Sequence, residues 1–288
     1  MKYCVIILVH NMLYFETMLK NMPKQNEDIC FVICNDERVI DLRKEIIDQI
    51  SKNKNKANFK FLYISKTIDF IKDNLDLDNI GNEFVDMYNM GGNINTIYYL
   101  KDKFEKYLIL DDDVLIFKDL IDIFECEESN QNMFCRNFLS SGRGRENDED
   151  MKVWLDFSKV DFDTYLSNNI NGGQKLYTNK SLKIYGKMLE EFYNNEHFLN
   201  NWKRWKIDGK NKAKAFFMDQ YFDNAFAWRI DQNKKQNNTL QNYCLVLYSM
   251  KHLLKHKERY LNNYIIHYCC GKNKFEFVKV LQEEGLIN

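Results

Sequence analysis

The segment "KYLILDDDVLIFKDL" (106–120) sets three carboxylates, Asp111, Asp112 and Asp113, between two apolar runs. Adjacent negative charges repel one another and call for solvent or a cation. Alternate side chains of an extended segment share a face, so Asp111 and Asp113 can converge while Asp112 points elsewhere. Hard oxygen ligands at that spacing suit Mg²⁺ or Mn²⁺, which keep several waters and bind through carboxylates together with substrate phosphates. A solvated turn would satisfy the same residues without an ion. The apolar flanks, 107–110 and 114–117, put the carboxylates at the end of a buried strand, where charge is costly to leave uncompensated.

Such a cluster needs a sheet whose strand ends gather. "YCVIILV" is a continuous apolar run, as in a strand buried on both faces; "ICFVIC" is a second and "FKFLYI" a third. Between them, Leu13, Met18, Leu19 and Met22 recur near helical spacing up to Pro23, the only proline. "DERVIDLRKEIIDQI" reads as an amphipathic helix. Strand–helix–strand units at this spacing predict a parallel sheet with right-handed crossovers. Residues 93–104 read as a helix feeding the strand that carries the aspartates. Ligands of open α/β sheets gather at the carboxyl ends of strands, where the aspartates lie.

The pattern loosens after that. "SGRGRENDED" (141–150) reads as a mobile loop and "NNINGGQKLY" as a turn-interrupted strand. Helices are predicted over 180–193, "AFFMDQYFDNAFAW" and 275–284, and short strands at "YCLVLY" and "YIIHY". The predicted architecture is a single α/β domain, a Rossmann-like, mostly parallel sheet with helices on both faces. A nucleotide-sized half spans 1–125 and a more irregular half 126–288.

"YLILDDDVLIFKDL" resembles the DxD segment of GT-A glycosyltransferases, particularly glycosyltransferase family 8, the glycogenin and lipooligosaccharide galactosyltransferase type. Further marks of that family follow in order: Asn171-Gly172-Gly173, then Asp219-Gln220, then His267, Gly271 and Lys274. Three residues separate His267 from Gly271 where the family has two, and Phe275 follows Lys274 where the family has proline. The arginine that the family carries in the helix before the DxD is missing, so Lys101, Lys103 or an asparagine replaces it, or nothing does. The opening "VIILVHNMLYFETML" is closer to the inverting family 2 enzymes. The resemblance implies a Mn²⁺- or Mg²⁺-dependent transferase moving a hexose from a UDP-sugar to a glycan, lipid or protein acceptor with retention. An inverting family 2-like transferase is the alternative.

On that reading the metal ligands are Asp111, Asp113 and His267, an imidazole that could equally be a hydrogen-bonded core residue. Gly271 allows close backbone approach and Lys274 aims an ammonium at a phosphate, unless both lie in an exposed loop. Asn171 and Gln220 are neutral amides able to read sugar hydroxyls, beside Gly173 and Asp219. Asp219 or Asp223 is the candidate base for inversion. Val9, His10, Asn11 and Asp36 follow strands one and two, where the resemblance puts the uridine, with Asp112 in the same donor-binding set; Asn35-Asp36 could instead cap the next helix. Arg143 and Arg145 could contact an acceptor or phosphate.

Composition narrows the classes. A formal net charge of −1 over 288 residues argues against a nucleic-acid binder. The eight cysteines form no CxxC pair, and Cys4, Cys30 and Cys34 sit inside apolar runs, as reduced thiols of a cytoplasmic protein do. The seven-residue apolar run at the start lacks a cleavage site, and no later run spans a bilayer. Residues 200–217 mix tryptophans with basic residues, which suits either peripheral membrane contact or a solvated basic loop. A haloacid-dehalogenase-type phosphatase would also use Asp111 and Asp113, as nucleophile and acid/base. Leu115 stands where that pattern wants Thr or Val.

Overall fold

The strands β1 (Tyr3–Leu8) and β2 (Ile29–Asn35) are buried at every position, because helices cover both faces of the sheet they form. The computed structural model describes residues 1–88, 92–136, 149–167, 170–207, 218–230, 239–247, 250–268 and 274–287. β3 (Asn58–Tyr63) is the half-exposed edge, and β4 (Lys106–Asp111) pairs with β1 on its other side. These four strands run parallel, in order β3-β2-β1-β4. The sheet continues through β7 (Ile170–Thr178), antiparallel to β4, and then β6 (Met133–Arg136). A second sheet sets β9 (Ile265–Tyr268) between β5 (Val114–Ile116) and β8 (Cys244–Leu247).

Helices α1 (Met12–Asn21) and α2 (Arg43–Lys52) pack Phe15, Met18, Leu19 and Ile46 against one face of the large sheet. On the other face lie α3 (Ile64–Asn74), α4 (Asn79–Met87) and α5 (Gly92–Leu100). They are joined there by α6 (Glu149–Ser158), α7 (Tyr185–Tyr193), α8 (Glu196–Ile207) and α9 (Met218–Ile230). The closing helix α10 (Lys274–Glu283) covers the small sheet through Val278 and Leu281. The architecture is thus α/β with a mostly parallel central sheet, as the apolar runs predict. Each Val, Ile or Leu buried in β1 contributes about 1.5–3 kcal/mol.

Local chemistry decides where elements begin. Asn11 caps α1 by accepting from the Leu13 N–H, and α1 stops before Pro23 with Met22 extended. The helix predicted from residue 36 starts instead at Arg43. Residues 36–42 form a turn, with the Asp36 carbonyl accepting from Val39 and Ile40 and Asn35 Oδ1 from the Leu42 N–H. β7 runs without interruption through Gly172 and Gly173, so the predicted turn is absent. Residues 200–207 belong to α8 rather than to a basic loop. Trp202 is buried there, edge-on to Tyr88, and donates from Nε1 to the Met87 carbonyl at 3.2 Å. Lys203 pairs with Glu83, so this part of the proposed membrane segment is core-packed helix; 208–217 lie outside the described residues. No described helix is long and apolar enough to cross a membrane.

Candidate active site

β4 delivers Asp111 at the carboxyl end of the parallel strands, and the chain then leaves the large sheet and enters the small one at Val114. β5 pairs antiparallel with β9, Val114 opposite His267, which brings that imidazole to the aspartates. His267 Nε2 lies 3.0 Å from Asp113 Oδ1 and 3.3 Å from Asp111 Oδ2. One ligand atom of each residue falls within 4.8 Å of the others. Asp113 and His267 are buried and Asp111 is partly exposed, an opening on one side. Two carboxylates held this close repel each other unless a proton or cation sits between them. Oxygen, oxygen and imidazole nitrogen form a donor set that a divalent cation fits.

The third carboxylate turns away, as alternation requires. Asp112 Oδ2 accepts from the His10 and Asn11 N–H groups at 2.7 and 2.8 Å. Those N–H groups follow β1, so the contact spans the point between β1 and β4 where strand order reverses and ligands of such sheets bind. Burial pushes the Asp112 carboxyl up to about 6; His10 and the two N–H groups oppose this, and Asp113 adds to it. Asp112 therefore fixes the β1 loop beside the site. Asp112→Ala removes both bonds and is expected to cost about 1–3 kcal/mol of stability. An unchanged midpoint in thermal unfolding would show that the loop holds its shape without Asp112.

The other expected residues divide. Val9 is buried and donates its N–H to the Cys34 carbonyl. Asp36 is buried and gripped by Arg38, whose Nε and Nη2 donate to its two oxygens at 2.8 Å each. Gly173 is pressed against the cluster: a Cβ there would stand 2.1 Å from Asp111 Oδ2 and 2.7 Å from His267 Cε1. Asn171 lies on β7, Asp219 and Gln220 in the first turn of α9, and Lys274 at the start of α10, their side chains outside the described residues. Gly271, Arg143 and Arg145 also lie outside the described residues.

Two expectations need correction. Lys101 and Lys103 follow the carboxyl end of α5, beside the start of β4, and sit over the rings of Tyr98 and Tyr99. That is the far end of the sheet from Asp111, so neither can replace the missing arginine. Asn93 and Asn95 occupy the near end of α5, both buried, with Asn95 accepting from the Tyr193 hydroxyl. Asp223 cannot serve as a base: it is fully buried, with Lys175 Nζ donating to Oδ2 and the Tyr177 hydroxyl to Oδ1. Lys175 and Tyr177 were missed by sequence reasoning. A lysine inside an otherwise buried strand pattern was the available signal.

No family model matches the sequence, and no curated protein does either. Solved structures do. Mouse xyloside xylosyltransferase 1 superposes with TM-score 0.56 over 94% of this chain and 98% of its own, at 11% identity. The fold is GT-A. WbbM, a bifunctional glycosyltransferase, matches with TM-score 0.55 at 11% identity, over 93% of this chain and 46% of its own. The galactosyltransferase LgtC, solved with donor and acceptor sugar analogues, matches with TM-score 0.50 at 12% identity over 99% and 96%. In this GT-A fold the Asp111, Asp113 and His267 cluster stands at the carboxyl edge of the parallel strands.

Proposed function

We propose that the chain is a metal-dependent glycosyltransferase that moves a hexose from a UDP-sugar to a hydroxyl of a glycan, lipid or protein acceptor, with retention. The observation that carries this reading is the convergence of Asp111, Asp113 and His267 at the carboxyl end of β4, within a GT-A fold. These three residues would hold Mn²⁺ or Mg²⁺, which when bound neutralises charge developing on the leaving diphosphate. On this reading Val9, His10, Asn11, Asp36 and Asp112 form the nucleotide end, and the bonds from the His10 and Asn11 N–H groups to Asp112 support it by holding the loop after β1. Asn171, Gly173, Gly271 and Lys274 complete the donor site, Lys274 as a point charge toward phosphate.

In the reaction the bond from the anomeric carbon to the diphosphate oxygen breaks and a bond to the acceptor oxygen forms. The acceptor proton passes to the departing diphosphate on the same face, so no protein base is required. Gln220, with Asp219 beside it, steadies the sugar as positive charge grows at that carbon. The burial and pairing of Asp223 support retention by removing one of two candidate bases for inversion.

Calorimetry with UDP, with and without Mn²⁺, tests the metal-dependent donor site, and a screen of nucleotide sugars for hydrolysis identifies base and sugar. Binding is expected to tighten with Mn²⁺; equal affinity in its absence would remove the metal from the reading. Phosphomonoester cleavage without nucleotide-sugar turnover would favour the phosphatase alternative. Product NMR from an α-linked donor is expected to show an α-glycoside. A β-glycoside would move suspicion to Asp219 as base.

A further inference from the structure

One face of β7 carries Gly173, Lys175 and Tyr177 in alternation. Lys175 stands opposite Ile109 of β4 and Phe134 of β6, is fully buried, and pairs with the fully buried Asp223 of α9. Tyr177 adds its hydroxyl to Asp223 at 3.2 Å while its ring packs edge-on against Phe226. Desolvating such a pair cancels most of its attraction, and apolar residues of equal volume often serve stability as well or better. Ile109, Phe134 and Phe226 show that this site could be filled that way. What the ionic group supplies instead is a directional link between one point on β7 and one point on α9.

Both ends of that link lie beside the proposed site. Lys175 is two residues from Gly173, which abuts Asp111 and His267. Asp223 is three residues after Gln220 and four after Asp219, one helical turn from both. The Asp111 carboxylate is near enough to raise Asp223 further, after burial and against the pull of Lys175 and Tyr177. Resting on the glycosyltransferase reading, we infer that Lys175, Asp223 and Tyr177 are positioning residues that set the Asp219–Gln220 turn relative to the Asp111, Asp113 and His267 cluster.

The test compares Lys175→Met, Asp223→Leu, the double variant and Tyr177→Phe in the full chain. Each single charge deletion leaves its partner buried alone and should lower the melting temperature by about 5–10 °C. The double variant should melt above either single variant, because its apolar pair has no ionic desolvation cost, and its remaining deficit comes from the Tyr177 hydroxyl left without an acceptor. Its kcat for donor hydrolysis should nevertheless stay down by about tenfold or more, the usual penalty for misplaced reacting groups, with Mn²⁺ affinity unchanged. Hydrogen exchange over 218–226 should rise, and Tyr177→Phe should raise it about fivefold by deleting one hydrogen bond. A double variant with parental kcat and parental exchange, or one that fails to fold, would make the group purely structural and overturn the inference. So would unchanged exchange in Tyr177→Phe. A parent that hydrolyses no nucleotide sugar refutes the functional reading instead, and exchange over 218–226 then decides the positioning role alone.

Discussion

Under the proposed function, Asp113→Ala is expected to lower metal-dependent donor turnover by about a thousandfold, the loss of the several kcal/mol that a cation contributes to a departing diphosphate. Asp113 is buried, with Oδ1 3.0 Å from His267 Nε2. Its backbone carbonyl accepts from the Tyr268 N–H, a bond that alanine keeps, so the link between β5 and β9 survives the substitution. The loss should therefore appear in kcat and in calorimetric Mn²⁺–UDP binding while unfolding stays cooperative. A variant retaining more than about a tenth of parental turnover would rule out Asp113 as a ligand, since ligand-level losses are far larger.

Gly173→Ala should disable the same site from the other side. The new methyl would fall 2.1 Å from Asp111 Oδ2, 2.7 Å from Asp111 Cγ and 2.7 Å from His267 Cε1. No real Cβ contact is that short, so Asp111 must swing outward, His267 must shift, or β7 must bow. Overpacking of this kind costs about 1–3 kcal/mol of stability. In the proposed site Asp111 and His267 both hold the cation, so Mn²⁺ affinity should drop by about a hundredfold. Paramagnetic resonance titration of Mn²⁺ reads this directly, and parental affinity would mean either that β7 bows and spares both residues or that the cation binds elsewhere.

The sequence made β1, β2 and β4 plain because a strand covered on both faces is apolar throughout, and turned period-two alternation into a correct division of the three aspartates. Contacts that depend on distant partners were hidden. The bonds from His10 and Asn11 to Asp112 use backbone N–H groups about a hundred residues away, which no side-chain pattern records. Asn171-Gly172-Gly173 looked like a turn because glycine is the residue of turns. At Gly173 it answers the approach of another group to a strand, a use that becomes visible only once β9 is in place. Lys101 and Lys103 lie close to the DxD in sequence, yet a helix antiparallel to its strand carries its end away from the site. Trp202 among lysines looked like a membrane anchor until α8 turned it inward.

The passage of the chain from β4 into β5 splits the cluster between two sheets, Asp111 ending one and His267 belonging to the other. Three backbone rungs, Val114, Leu115 and Ile116 against His267, Ile266 and Ile265, join the later strand to this crossing. Asp113 and His267 lie about 150 positions apart, so a cation shared by them would act as a removable clasp on a very long loop, and loop-closure entropy makes such clasps most effective. Peeling of β9 and release of the ion then become one event. The C-terminal segment would be the part of the molecule whose persistence reports the local metal concentration, loosening under a chelator while the parallel strands stay folded.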